Sequence, residues 1–342
     1  MELVLHEVDL PLRHPFGTVH ATVAVQQSLI VELRDGEHRG FGEAAGFTFF
    51  GLSLSDVRGS LERARSAIEA DRVDDPAAFW SRVSKLLDNS FSLCALDQAA
   101  HDLWGKRLGA PVWRLWGLTA DRLPVSDYSI GIDTVDRMVA KMNEFPGWPV
   151  YKIKLGTPDD IEIVRALRRH TDAVFRVDAN TGWTAEQTIR NSAELRKLGV
   201  EFIEQPLPVE QWEEQRQVHR ESELPVVADE SCLTEDDVER CAEVFHGVNI
   251  KLAKCGGLTP ARRMIAKARE SGLTVMAGCM AESTVGISAI AQLLPLLDHA
   301  DLDGALLLAR DVADGVRLDR GRAVLPAENG TGVTWLGAGV PS

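Results

Sequence analysis

Five apolar runs between Val150 and Gly257 each end in charge, and their spacing limits what this chain can fold into. The runs are Val150-Tyr-Lys152-Ile-Lys154, Val174-Phe-Arg-Val-Asp178, Glu201-Phe-Ile-Glu204, Val226-Val-Ala-Asp229 and Val248-Asn-Ile-Lys251-Leu-Ala-Lys254. They recur about every 25 residues, the length of one strand plus one helix. The charges run basic, acidic, acidic, acidic, basic. We read them as three metal-binding carboxylates flanked by two proton-moving lysines.

The same beat extends to both sides. Strands are expected near Val125–Ile130, Tyr151–Leu155, Val174–Asp178, Phe202–Glu204, Val226–Asp229, Val248–Leu252, Thr274–Gly278 and Leu302–Leu308. Helical stretches such as Asp159–Arg169, Ala185–Leu198, Pro260–Ser271 and Thr284–Leu297 separate them. Eight strands alternating with helices over about 190 residues point to an α/β barrel. The competing doubly wound sheet usually carries a glycine-rich phosphate turn after its first strand, and none is visible. The N-terminal part reads as β then α. Glu2 to Leu10 and Val25 to Leu33 are strand-like, Asp35-Gly36 is a hairpin signal, and Ala77–Leu87 and Leu93–Leu108 have helical period. The division expected is an α+β domain over residues 1–118, completed by about 316–342, and a barrel over 119–315.

Barrel chemistry sits where strands end. Asp178, Glu204 and Asp229 close the third, fourth and fifth strands, neighbours on one arc. Three carboxylates that close repel unless a cation joins them, and a dense set of hard oxygen ligands suits Mg²⁺. Each alone reads more readily as a helix N-cap. Three in register between two lysine strands make that reading a minority one. Lys152 and Lys154 lie two apart and so share a face, and their proximity is expected to depress the pKa of one of them. Lys251 and Lys254 fall on the sixth strand and its exit, opposite the second on an eight-stranded circle. A substrate between them would meet a lysine on each face of a carbon, as inversion at a carbon acid requires. The α-proton of a carboxylate is too weakly acidic for a side-chain base alone, and a metal on that carboxylate stabilises the enediolate.

Composition sets outer bounds. The chain has 342 residues and a net charge of −14, which argues against nucleic acid or an anionic membrane surface as partner. The longest apolar run, Ile287 to Leu297, is broken by Ser288, Gln292 and Pro295 and is too short to span a bilayer. Cys94, Cys232, Cys241, Cys255 and Cys279 show no metal-finger spacing, and with no signal-peptide pattern they fit reduced thiols in a cytoplasmic protein.

These residues resemble the enolase superfamily, in its muconate-lactonizing-enzyme subgroup. The motifs are Lys152-Ile-Lys154, Val177-Asp178-Ala-Asn180, Ile203-Glu204-Gln-Pro206, Asp229-Glu230-Ser231 and Asn249-Ile-Lys251-Leu-Ala-Lys254-Cys-Gly-Gly257, with Ala95-Leu-Asp97 to Lys106 as a capping-domain helix. The resemblance implies a modified TIM barrel, (β/α)7β, under an α+β capping domain. It implies one Mg²⁺ per subunit on Asp178, Glu204 and Asp229, with Mn²⁺ as the alternative ion. Lys154 and Lys254 become the acid/base pair, with Asn180, Glu230 and Lys251 in support and Lys152 at the substrate. A homo-oligomer is implied too.

Three chemistries compete in that subgroup: dipeptide epimerisation, muconate cycloisomerisation, and o-succinylbenzoate synthesis with its N-acylamino-acid racemase relatives. Asp301-Leu-Asp303-Gly304 resembles the Asp-x-Asp motif with which dipeptide epimerases hold the substrate's α-ammonium group. Two carboxylates two apart on a strand share one face and can bracket an ammonium; on spacing alone a solvated loop is an equal reading. Resemblance also puts Ser129 and Glu282 near the substrate. Relatives that epimerise Ala-Glu carry an Arg in the capping loop where this chain has Ala21, beside His20, and often a Lys where it has Thr284. Without those cations an acidic second residue lacks a partner. The expectation is therefore a dipeptide with a non-acidic, hydrophobic second residue. Phe47, Phe49 and Phe50 are candidates to line its pocket, or else to fill the capping-domain core. A barrel that binds without catalysing is the non-enzyme alternative.

Overall fold

The structure, a computed structural model, describes residues 1–337. Residues 338–342, which close the expected segment 316–342, lie outside the described residues. Strands β1 (Glu2–Gly17), β2 (Thr22–Asp35) and β3 (His38–Ala45) form an antiparallel sheet. The tight turn expected at Gly36 joins β2 to β3, with Asp35 paired to His38. Three helices follow: α1 (Leu54–Ala70), α2 (Pro76–Val83) and α3 (Ser90–Leu108). Each starts on a side chain that satisfies a free amide: Ser53 in a capping box with Asp56, Asp75 ahead of Pro76, and Asn89. Helix α3 is buried on almost every side, because β3 covers one face and the barrel another. At Gly42 a Cβ would come within 2.0 Å of the Ala95 carbonyl, so only glycine lets β3 lie on α3.

Eight parallel strands form the second sheet, in chain order: β4 (Tyr128–Ile130), β5 (Val150–Lys154), β6 (Val174–Asp178), β7 (Val200–Glu204), β8 (Val226–Ala228), β9 (Gly247–Ile250), β10 (Thr274–Gly278) and β11 (His299–Asp301). A Ser126–Ala300 bridge and the Asp127 N–H to Ala300 carbonyl bond at 3.1 Å join its two ends into a barrel. Helices separate successive strands, so the architecture is (β/α)7β with an antiparallel cap.

Two expected strands are corrected. The eighth is His299–Asp301, not Leu302–Leu308: the chain turns at Asp303, and Gly304–Leu307 is a 3-10 turn. The first begins at Tyr128 rather than Val125, because Ser126 and Asp127 spend their bonds closing the barrel. The last described segment turns back on the cap. There Asp102 accepts from the N–H of Thr331 at 2.8 Å, and Trp335 stacks on Phe41. No helix among the described residues is long and apolar enough to cross a membrane.

Candidate active site

Parallel register sets the charges side by side. Lys154 pairs with Asp178 between β5 and β6, and Asp178 with Glu204 between β6 and β7. Asp229 follows the end of β8. Each of Asp178, Glu204 and Asp229 offers an oxygen within 4.8 Å of the others, and all three are buried. The two lysines meet this triad at its two ends. Lys154 Nζ lies 2.6 Å from Asp178 Oδ2, and Lys254 Nζ lies 2.6 Å from Asp229 Oδ1. Lys251 reaches the other Asp229 oxygen at 2.7 Å.

Burial and these cations compete over each carboxyl. Burial pushes Asp178 and Asp229 up, but the adjacent lysines outweigh it and hold both below the usual range. Glu204 is buried with less compensation from Lys152 and is pushed up to about 7. Glu230, buried beside Asp229 and Asp178, is likewise raised to about 7. The expected depression of one lysine's pKa is not found at Lys152. Burial pulls it down, yet Asp301, Glu204, Asp178 and Asp127 together raise it well above its ordinary value. Its like-charged neighbour is two residues away in sequence; the carboxylates that decide the matter come from distant strands.

Lys152 is 1% exposed and donates to a Glu204 oxygen and to Asp301 Oδ2, both at 2.9 Å. Asp301 Oδ1 is buried without a hydrogen-bond partner among the described residues. Asp303 lies beyond the strand rather than on its face, and the Ser129 N–H fixes its Oδ2 at 2.6 Å. Burial and the charge of Asp301 push Asp303 up to about 7. A cavity of about 170 Å³ opens over these groups, lined by Ser129, Lys154, Asp229, Lys251, Asp301 and Asp303, and walled by Phe16, Phe49, Phe50, Met280 and Leu307.

The capping loop closes one side. The His20 ring N–H donates to the Asn180 carbonyl at 2.8 Å, and the ring meets Phe49 edge-on. Asn180 in turn donates to Glu230 at 3.3 Å. Ala21 is exposed in the turn closed by the Thr18 N–H to Ala21 carbonyl bond. Phe50 borders the cavity, whereas Phe47 belongs to the capping core. Glu282 is folded onto its own loop, where the Met280 N–H donates to it at 2.9 Å; burial raises it to about 8. It does not line the cavity.

Sequence reading missed Arg176 and Asp127, which meet at 2.9 Å in the barrel interior, where the Arg176 guanidinium also donates to Ala300 O across the closing seam. Arg176 sits two before Asp178, the same spacing that puts Lys152 and Lys154 on one face, so the signal was there. Phe16, Gln26, Met280 and Leu307 of the cavity carry no such signal.

Two family models cover the chain. Residues 1–117 match the mandelate racemase/muconate lactonizing enzyme N-terminal domain, and 134–338 match the enolase C-terminal domain-like family. A Flavobacterium johnsoniae protein named L-Ala-D/L-amino acid epimerase is 52% identical over 98% of this chain and 100% of its own. A hydrophobic dipeptide epimerase of Roseobacter litoralis is 34% identical over 96% and 97%. The dipeptide epimerase of Methylococcus capsulatus, solved with Mg and the dipeptide L-Arg-D-Lys, superposes with a TM-score of 0.90 at 32% identity, covering 98% and 99%.

Proposed function

The chain belongs to the mandelate racemase/muconate lactonizing enzyme family, with an enolase-type barrel, and on that premise we propose that it is a Mg²⁺-dependent dipeptide epimerase. It moves the α-proton of the C-terminal residue by a 1,1-transfer between two lysines. The observation that carries this reading is the placement of Lys154 and Lys254 at the two ends of one buried carboxylate triad.

The triad fits a hard divalent cation, since three buried carboxylates converge within 4.8 Å. A Mg²⁺ ion held by Asp178, Glu204 and Asp229 would draw charge from the substrate carboxylate and acidify the adjacent carbon. The chain's own groups supply the rest. Lys154 takes the α-proton from one face and Lys254 delivers one from the other; the opposite epimer runs the roles in reverse. Asp301, with one oxygen unpartnered, and Asp303, aligned by Ser129, receive the α-ammonium group. Lys152 neutralises Glu204 and Asp301 and so keeps the two anionic sites compatible.

The wall of Phe16, Phe49, Phe50, Met280 and Leu307, with Ala21 rather than a cation on the capping turn, favours a non-acidic second residue. The Thr331 bond to Asp102 and the stacking of Trp335 on Phe41 support a capping domain of 1–118 completed by the segment from 316, over a barrel of 119–315. All five cysteines are free, in keeping with a reducing cytoplasm.

The test is α-deuterium uptake from D₂O across a dipeptide panel with Mg²⁺. Uptake with neutral and hydrophobic second residues is expected. No uptake from any dipeptide would overturn the reading, and a higher kcat/KM for Ala-Glu than for hydrophobic dipeptides would overturn the preference.

A further inference from the structure

The two lysines are held by different parts of the molecule. Lys154 ends β5, a strand bonded in the sheet to β4 and β6. Lys254 stands past the end of β9, in a four-residue helical turn, Leu252–Cys255, outside the sheet. The residues that follow it, Gly256 to Thr259, are gripped by three side chains of the capping domain. Trp80 of α2 donates its indole N–H to the Gly256 carbonyl at 2.9 Å. Leu93 of α3 lies against Gly256, 3.1 Å from where a Cβ would stand. Asp97 of α3, fully buried, accepts from the N–H and the hydroxyl of Thr259, both at 2.8 Å.

Thr259 is the second residue of the helix Leu258–Glu270, which follows the lysine turn after Gly256 and Gly257. The N-cap residue of that helix is Gly257, which has no side chain to satisfy the free amides. Asp97 supplies the missing acceptor from another domain. Gly257 has φ +118°, and a Cβ there would lie 2.4 Å from Asp97 Oδ2, so the carboxylate occupies the space a side chain would need. Glu43 of β3 repeats the device one strand on, accepting from the N–H groups of Ser283 at 3.0 Å and Gly286 at 3.1 Å. The cap therefore docks by capping two consecutive barrel helices, and the first of them starts four residues after Lys254.

We propose that Asp97 is a positioning residue for Lys254, so that the Lys254 half of the proton transfer depends on the docking of α2 and α3 while the Lys154 half does not. This rests on the two-lysine reading above. Asparagine at position 97 keeps the shape but sets an NH₂ or a single weaker acceptor against Thr259, and the turn before it shifts. A misplacement on the order of 1 Å costs about 10²-fold in rate. Lys154 is set in the sheet beside Asp178, and the cap meets its exit through an apolar contact, Val19 against Gly156, rather than through bonds such as those of Trp80 and Asp97.

The experiment uses the full chain with Mg²⁺ in D₂O and both epimers of one hydrophobic dipeptide. Lys154→Ala and Lys254→Ala first assign each epimer to its base, each removing deuterium uptake from one epimer. Asp97→Asn is then expected to slow uptake from the Lys254 epimer by about 10- to 100-fold and from the Lys154 epimer by less than about threefold. KM for the dipeptide should stay within about threefold, since no substrate contact is lost. Trp80→Phe, which removes the Gly256 bond but keeps the ring, should shift the same ratio in the same direction, and it decides alone if Asp97→Asn shows no cooperative melt. Equal slowing of both epimers, or of neither, overturns the proposal. If the two lysine variants fail to separate the epimers, the two-lysine reading has failed and the positioning argument falls with it.

Discussion

The ammonium of Lys152 lies 2.9 Å from Asp301 Oδ2, on a strand two places away around the barrel. Because the same Nζ also reaches Glu204, one buried cation joins the carboxylate triad to Asp301. Lys152→Met would leave Glu204 and Asp301 buried without their partner. Removing one member of such a buried pair costs about 3–5 kcal/mol. Urea unfolding is expected to show a loss of that order, together with loss of Mg²⁺-dependent α-exchange. A stability change below about 1 kcal/mol would mean water or ions already screen the pair.

Asp303 is pushed up to about 7 by burial and by the charge of Asp301. The direction of the pH effect follows. Below that value the free enzyme holds Asp303 as a neutral acid, which cannot pair with an ammonium. Binding then has to release a proton, so kcat/KM for a dipeptide should fall as pH drops through about 7, while kcat at saturating substrate changes less. Asp303→Asn should lower kcat/KM by about 10- to 100-fold and flatten that acidic limb, since a charged hydrogen bond contributes about 1.5–3 kcal/mol. An N-acetylated dipeptide, lacking the ammonium, should lose as much with the wild type and little more with the variant. Unchanged dipeptide kinetics in Asp303→Asn would remove the ammonium reading.

Much of this site was legible because the barrel converts sequence period into position. Lys154, Asp178 and Glu204 each end a strand, and parallel register places strand ends together. Asp303 was harder. Two carboxylates two apart predict a shared strand face, but β11 stops at Asp301, and the turn before Gly304 sends Asp303 to the Ser129 amide instead. The charge state of Lys152 was illegible for a different reason: its local neighbour is Lys154, while the groups that decide it lie on strands far along the chain. The wall of the cavity, from Phe16 to Leu307, is assembled from segments whose meeting no local pattern encodes.

A divalent cation should stabilise the folded chain, because the convergent carboxylates of Asp178, Glu204 and Asp229 exist only when it is folded. At about 100 times its dissociation constant, Mg²⁺ should add about 2.7 kcal/mol, read as a rise in Tm over the chelated protein. Mn²⁺ should produce a similar rise. Glu204→Gln should remove most of the metal-dependent increment, whatever it does to the melt without metal. An increment in Glu204→Gln equal to that of the wild type would place the ion elsewhere.

Ala21 is exposed on a turn whose neighbour His20 is anchored to the Asn180 carbonyl at 2.8 Å. The turn is thus fixed to the barrel mouth, beside Phe49 and the cavity wall, and a long side chain at position 21 can reach toward the second residue of a bound dipeptide. Ala21→Arg introduces the cation that the wall lacks without touching the lysines or the triad. An exposed guanidinium pairing with a substrate carboxylate contributes roughly 1 kcal/mol, and more once the ligand excludes water. The ratio of kcat/KM for Ala-Glu over a hydrophobic dipeptide should therefore rise by about 5- to 50-fold. Most of that change should sit in KM for Ala-Glu, because the new contact forms equally in ground and transition states. Added salt should erode the gain, since the pair lies near solvent. A ratio unmoved by Ala21→Arg, in enzyme that still exchanges hydrophobic dipeptides at the wild-type rate, would show that this turn does not read the second residue.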